Sequence, residues 1–315
     1  MPAMPDACPA CGMALAGRYC HGCGQDTLAR PRPLRDMVEE ALSETTLIDS
    51  RLARTVVALS VAPARLLVGY QRGAGSLHVS PVKIFVVMTA LFLAVLNFSD
   101  VVIYQFTRQV IPGQPVTARA DPDGYTVHFT GVVEQDRWMQ RRIEPPIDPR
   151  VTAAIQHAAD RATNETDRAN LAYEIEDDRT LGIVTERLAA WLPNALWLLM
   201  PAHALLLAPL FGRRRLFMEH LVFAMWAHAT AFILLILLAL ANRFGTNLPA
   251  WPLIGPYLLY FTLAARRYYA VSTASAAWRS VAHTALYSLL VLLPAALVVM
   301  ASATDWDAYW AYIRA

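Results

Sequence analysis

Lysine is almost absent from this chain: Lys83 is the only one among 315 residues, and charged residues make up only 17%. The formal net charge of +2 gives no electrostatic reason to expect nucleic-acid binding. Familiar catalytic motifs are missing too, since there is no serine elbow, no glycine-rich phosphate loop and no His-Glu-x-x-His. These absences favour a non-enzymatic protein. The scarcity of lysine beside abundant Ala, Leu and Arg is typical of a GC-rich bacterial genome.

Cysteine occurs only four times, and all four residues lie close together near the N-terminus. They form two Cys-x-x-Cys-Gly hooks at 8–12 and 20–24. Each hook supplies two thiolates from one turn, and two hooks complete the tetrahedral four-thiolate set that is typical of structural zinc. The glycine that ends each hook allows a positive φ, so that backbone N–H groups can point at the sulfurs. The sequence therefore predicts a ribbon that holds one zinc ion per chain through Cys8, Cys11, Cys20 and Cys23.

Two other interpretations of the hooks remain open at this stage. The four cysteines could form a pair of disulfides, but the sequence shows no secretion signal before them, and we therefore expect a reducing compartment. His21 lies inside the second hook and could replace a cysteine as ligand, although four cysteines leave no need for it.

The remainder of the chain has the composition of a membrane protein. Hydrophobic residues make up 56% of the sequence, and mean hydropathy is +0.34. We expect an all-α polytopic protein with about five spans, each long enough or nearly long enough to cross about 30 Å of hydrocarbon. The predicted spans are 82–98, 191–211, 217–241, 251–265 and 281–302, and the fourth is the shortest.

Basic residues predict the orientation of these spans. One group precedes or begins the first span, a second joins the second span to the third, and a third joins the fourth span to the fifth. With five spans, all three groups lie on one side of the membrane. The positive-inside rule makes that side cytoplasmic, with the C-terminus outside. The groups are Arg51, Arg54, Arg65, Arg72 and Lys83; Arg213, Arg214 and Arg215; and Arg266, Arg267 and Arg279. The opposite side carries the segment 99–186, in which fifteen acidic residues outnumber nine arginines.

The predicted domain order follows from these patterns. It is a cytosolic zinc ribbon at 1–30, a linker with amphipathic helices at 31–81, the first span at 82–98, an extracytoplasmic domain at 99–186, a four-helix membrane region at 187–302 and an extracytoplasmic tail at 303–315. The amphipathic helices lie either on the inner leaflet or against the membrane helices. Within 99–186 we expect a strand at 125–130 and a helix at 151–180.

Ionisable residues also lie inside the predicted spans. Glu219 and His220 fall about one turn into the third span, and His228 lies about 12 Å further along the helix axis than His220, too far to share one metal ion with it. His203 and His283 reach similar depths on other spans. The five residues form either a functional cluster, binding metal or relaying protons, or a hydrogen-bonded network that holds helices together. We favour the network.

Three stretches of the chain carry a family resemblance. They are Cys8-x-x-Cys11 with Gly17-Arg-Tyr19-Cys20-x-x-Cys23-Gly24-Gln25; Thr45-x-x-x-Asp49 with Arg54-Thr55, Tyr70-x-Arg72-Gly73 and Val79-x-Pro81-x-Lys83; and Phe217-Met218-Glu219-His220-Leu221-Val222-Phe223-Ala224-Met225. Together they resemble the DUF3667 family of bacterial zinc-ribbon membrane proteins of unknown function. The resemblance implies a zinc ribbon followed by several membrane helices, marks Glu219 and His220 as motif positions, and departs at Trp226, where members often carry histidine.

Three functional classes follow from these expectations. We favour an inner-membrane protein of a bacterium, lying in the lipid bilayer, whose cytosolic ribbon docks a protein partner or senses metal or redox state. The alternatives are a membrane-embedded enzyme that uses Glu219 and His220 as acid and base near the inner leaflet, and a transport accessory.

Overall fold

The structure is a computed structural model, and it describes residues 6–8, 11–26, 50–71, 77–121, 126–212 and 215–303. Residues 31–49 of the predicted linker region and nearly all of the predicted C-terminal tail lie outside the described residues. The chain is mostly helical and divides into two compact units. The first unit contains Met1–Val95, Trp197–Leu237 and Trp251–Val291, and the second contains Leu96–Leu196, Leu238–Ala250 and Leu292–Ala315.

Ten α-helices are present in the described part of the chain. They are α1 (Ser50–Val61), α2 (Pro63–Gln71), α3 (Pro81–Ser99), α4 (Pro149–Arg161), α5 (Glu165–Leu198), α6 (Met200–Phe211), α7 (Phe217–Arg243), α8 (Ile254–Tyr268), α9 (Thr273–Tyr287) and α10 (Leu293–Ala303). A 3₁₀ turn (Trp251–Leu253) precedes α8, and a π-helical turn (Ser288–Leu292) joins α9 to α10.

The helices α1 and α2 belong to the first unit and pack against its other helices. In α1, Leu52 and Leu59 are buried, and the Thr55 hydroxyl accepts a hydrogen bond from the backbone N–H of Val79 at 3.1 Å. At the end of α2, the Gln71 side-chain amide donates to the carbonyl of Tyr268 in α8 at 3.3 Å. These contacts join α1 to the segment before α3 and α2 to α8, and both placements that the sequence left open for this region stay predictions. Lys83, in the first turn of α3, is only 3% exposed.

Three helical stretches are long and apolar enough to cross a membrane: Pro81–Ser99, Phe217–Arg243 and Thr273–Ser302. The bent pair α5 and α6, which meet at 49°, would make a fourth if it crosses as one span. The chain is thus a membrane protein. The prediction of about five spans is not confirmed, because the segment predicted at 251–265 forms α8, which has 15 residues and is shorter than the about 20 that a span requires.

Although it is short, α8 runs antiparallel along the first part of α7. Near the start of α7, Tyr268 donates its hydroxyl to the carbonyl of Glu219 at 2.8 Å. Deeper in the bundle, the rings of Phe261 and Phe223 meet edge to face at 5.1 Å. The pairing places the C-terminal end of α8 beside the N-terminal end of α7 and beside Gln71 in α2.

The second unit contains a nested pair of antiparallel hairpins, which the sequence predicted only in part. The outer ribbon pairs β1 (Val101–Val110) with β4 (Val132–Arg141), and the inner one pairs β2 (Thr117–Ala120) with β3 (Val127–Thr130). Only β3 coincides with the predicted strand. Gly131 joins the two ribbons with φ of +70°, and a Cβ there would lie 2.3 Å from the carbonyl oxygen of Pro115, so the close approach requires glycine.

The helices of the second unit pack on the inner hairpin. The helix predicted at 151–180 is two helices, since α4 ends at Arg161 and α5 begins at Glu165. The break has a local cause: the side-chain oxygen of Asn164 accepts a hydrogen bond from the N–H of Asp167 at 2.6 Å, as an N-cap does. The core of this unit is Val151, Ile155, Ala159 and Leu171, with Phe129 and Val127 packed against it.

Candidate functional site

The two cysteine hooks share the same pattern of backbone hydrogen bonds. In each hook, the N–H of the glycine donates to the carbonyl of the first cysteine at 2.8 Å, which closes a tight turn. The N–H of each first cysteine donates to a carbonyl five residues later, from Cys8 to Met13 at 2.8 Å and from Cys20 to Gln25 at 2.9 Å. Both glycines have positive φ, +76° at Gly12 and +72° at Gly24. The sequence therefore builds one thiol-presenting turn twice.

These turns bring all four sulfur atoms within 4.8 Å of one another. The closest distances join one hook to the other: Cys8 Sγ lies 3.6 Å from Cys23 Sγ, and Cys11 Sγ lies 3.6 Å from Cys20 Sγ. A tetrahedron with Zn–S bonds of about 2.3 Å has edges of about 3.8 Å. The four cysteines could therefore hold a metal ion, and no other group of three or more potential ligands converges in this way among the described residues.

Burial around the sulfurs is uneven. The first cysteine of each hook, Cys8 or Cys20, is almost fully buried, whereas Cys11 is exposed and Cys23 is half-buried. The space is tight on one side, because a Cβ at Gly22 would lie 2.7 Å from the sulfur of Met13. His21 is exposed and lies outside the convergent group. The ligand set of this candidate metal centre is thus the four cysteines alone.

The structure divides the five ionisable membrane residues into two groups. His203 in α6 lies between two other imidazoles, with ring centroids 4.7 Å from His228 in α7 and 4.2 Å from His283 in α9. All three are buried, at 3%, 7% and 0% exposure.

Glu219 and His220 contact other partners. The Nδ1 of His220 lies 3.0 Å from the hydroxyl of Tyr269, and its Nε2 lies 3.3 Å from the carbonyl oxygen of Gly212. Glu219 lies 3.7 Å from Arg215, which comes four residues earlier, just before α7 begins. Because both nitrogens of His220 have partners, its contacts are those of a residue that holds helices together.

A charged cluster in the second unit escaped the sequence analysis. The guanidinium of Arg108 in β1 pairs with Glu134 of β4 at 2.8 Å, with Glu174 of α5 at 2.8 Å and with Asp178 of α5. The same guanidinium lies over the ring of Phe129, 4.7 Å from its centroid. The excess of acidic residues in 99–186 was visible in the sequence, but the partners of Arg108 are up to 70 residues away along the chain.

This cluster leads to a prediction about pH. Asp178 lies in the charged first half of α5, outside its apolar part, and burial raises the pKa of Asp178 to about 6 although Arg108 acts in the opposite direction. Because the unfolded carboxyl has a pKa of about 3.9, the folded chain binds this proton more tightly, and stability rises as pH falls through about 6. We expect hydrogen exchange of 101–141 to be slower at pH 5 than at pH 7, after correction for the intrinsic rate. Asp178→Asn should flatten this difference, and an unchanged pH dependence in that variant would refute the assignment.

Comparisons with known proteins add no assignment for this arrangement. No protein-family profile matches the chain, and neither a curated protein nor a solved structure matches it.

Proposed function

We propose that residues 6–26 form a structural zinc ribbon on the cytosolic side of a bacterial inner-membrane protein, and that this ribbon docks a cytosolic protein partner. The convergence of four sulfurs from two equivalent turns carries the proposal. Zinc fits this donor set best, since four thiolates around a small tetrahedral space are characteristic of structural zinc. The resemblance to the DUF3667 family is in keeping with this proposal.

The orientation is part of the same proposal. The C-terminal end of α8 lies beside Gln71, which precedes the first span, and beside Glu219, which begins α7. The 3₁₀ turn at Trp251–Leu253 extends α8 to 18 residues, which is about 27 Å at 1.5 Å per residue. With that length, the chain crosses the membrane once along α7 and crosses back along α8. Five crossings with the basic segments inside, as expected from the positive-inside rule, then place the N-terminus in the cytosol and the C-terminus outside.

Docking rather than catalysis is favoured by what the ribbon exposes. Tyr19 is 61% exposed and Met13 is 44% exposed, although the ribbon has few residues with which to form a core. The guanidinium of Arg18 lies 5.2 Å from the centroid of the Tyr19 ring and also pairs with Asp26 at 2.8 Å, so the aromatic side chain is held from one side. Tyrosine and arginine are the residues that most often anchor protein interfaces. By contrast, the contacts of Glu219 and His220 give no support to an acid–base pair.

A photocrosslinking experiment tests the docking role. A photoreactive phenylalanine derivative at position 19 should give one discrete crosslinked product in cells, because a specific partner covers that side chain. Cys8→Ser should abolish the product while the membrane helices stay folded, since the ribbon loses its metal ligand. His21→Ala is the matched control, because His21 is an exposed polar residue of the same ribbon, and it should leave the product unchanged.

The outcomes separate docking from sensing. Failure to form a discrete product, or a product that persists in the Cys8→Ser chain, would exclude docking through the folded ribbon. If crosslinking instead depends on added zinc or on a thiol oxidant in the unsubstituted chain, the ribbon acts as a sensor that controls the same contact.

A further inference from the structure

The hydrogen bonds of His203, His228 and His283, three buried histidines of the first unit, are not explained by a role in joining helices. His283 donates its Nε2–H to the carbonyl of His203 at 3.0 Å, which leaves the lone pair on Nδ1. His228 donates its Nδ1–H to the carbonyl of Ala224 at 2.9 Å, which leaves the lone pair on Nε2. In both rings, one nitrogen is thus oriented by a backbone carbonyl. Metal-ligating histidines are oriented in this way.

Two of the other nitrogens lack a hydrogen-bond partner. The Nδ1 atoms of His203 and His283 are buried and make no hydrogen bond within the described part of the chain. The Nε2 of His203 lies 3.5 Å from the hydroxyl of Tyr257, at the limit of a hydrogen bond. An unpaired polar atom inside a membrane is costly, because the hydrocarbon offers no water to replace the missing partner.

His220 shows what a structural histidine looks like in the same unit. Both of its nitrogens have partners, at 3.0 and 3.3 Å. A network that only held helices together would satisfy its members in this way. His203 and His283 instead each leave a buried Nδ1 without a partner on neighbouring rings, and a ligand that accepts an electron pair from each nitrogen would satisfy both.

We propose that His203 and His283, with His228 beside them, bind a monovalent soft metal ion, for which Cu⁺ is the candidate. Imidazole is a good ligand for copper. Imidazole binds a metal in its neutral form, and no carboxylate pairs with these three rings among the described residues. A divalent ion would therefore carry its full charge into a low-dielectric surrounding, where the desolvation cost rises with the square of the charge.

The coordination number supports the same choice. The imidazole nitrogens do not converge as the four sulfurs of the ribbon do. The histidines therefore do not form a closed tetrahedral site. Cu⁺ does not need one, because it accepts few ligands. Aromatic rings lie beside the pair: the centroid of the His203 ring is 5.0 Å from that of Tyr287 and 6.2 Å from that of Phe261. The π-helical turn Ser288–Leu292 begins directly after Tyr287, and such turns occur often at functional sites.

Copper content of the purified full-length chain tests this proposal. All four cysteines are replaced by serine, so that no thiolate competes, and the protein in detergent is supplied with Cu⁺ under a reductant. We expect about one copper per chain after desalting, with an X-ray absorption spectrum of nitrogen ligands and no sulfur. His283→Gln keeps a donor for the His203 carbonyl but removes the free nitrogen. It should weaken binding by more than about 100-fold, since even an outer hydrogen-bond partner is worth about 10–100-fold.

The controls distinguish metal binding from folding. His157→Ala removes an exposed histidine of the second unit and should leave copper binding unchanged. Size-exclusion behaviour and helical circular dichroism should be the same for all variants, and His203→Gln provides a second variant if His283→Gln does not fold. The proposal is overturned if no copper is retained, if retention is the same in the His203 and His283 variants, or if Zn²⁺ binds this site more tightly than Cu⁺.

Discussion

We expect a chain that carries Cys8→Ser and Cys11→Ser to lose the zinc that we propose, and the ribbon at 6–26 to unfold. The physical reason is that a ribbon of this size has little apolar core, so metal binding supplies the free energy of folding, about 10–16 kcal/mol for structural zinc in small peptides. Zinc per chain, measured by mass spectrometry on detergent-purified protein, should fall from about one to near zero. Amide exchange at the N–H groups of Cys8, Gly12, Cys20 and Gly24, slow in the folded turns, should become fast.

The same experiment contains its own controls. His21→Ala should keep the zinc, because His21 is not among the convergent ligands. Amide exchange within α7 should be identical in both variants, since the sulfurs converge on one another. A double cysteine variant that retains stoichiometric zinc would show that the metal lies elsewhere, and the ribbon assignment would be wrong.

Arg108→Ala should strongly destabilise the second unit. Removing the guanidinium leaves Glu174 and Asp178 without their cation, with side chains only 17% and 3% exposed. Breaking a buried ion pair from one side typically costs about 3–5 kcal/mol, because a charge remains buried and uncompensated. Exchange of the backbone amides in 101–141 and 149–161 should become correspondingly faster at pH 7. The effect should be smaller at pH 5, since protonated carboxyls no longer repel one another.

Arg150→Ala is the matched control for this prediction. Arg150 pairs with Asp148 at 2.7 Å, but its side chain is 69% exposed, and exposed pairs contribute about 0–1 kcal/mol. A second variant tests the cause directly: Arg108→Met combined with Glu174→Gln and Asp178→Asn removes the buried charges together and should recover part of the loss. If Arg108→Ala and Arg150→Ala have the same small effect, the cluster does not stabilise the unit.

Local sequence patterns predicted the convergence of the four cysteines. The spacing of the cysteines and the glycine that ends each hook are enough to predict the turn. A positive φ and a short sulfur-presenting loop depend on only a few consecutive residues. The structure places both glycines at positive φ and brings the four sulfurs together.

Contacts between distant segments were beyond the sequence. The strand β1 follows α3 after the single residue Asp100, so its apolar start reads as a continuation of the preceding membrane helix. The grouping of His203 with His228 and His283, rather than with His220, depends on how helices rotate against one another. Hydropathy specifies the depth of a residue in the membrane but not the direction in which its helix faces.

The buried position of Lys83 determines which reagents can report on this protein. It carries the chain's only side-chain amine, and it is 3% exposed. Amine-directed crosslinkers and dyes will therefore find almost no target on the side chains of the folded protein. A search for partners by such reagents would return a false negative, whereas carboxyl-directed or photoreactive chemistry would reach the exposed surfaces of both the ribbon and the second unit.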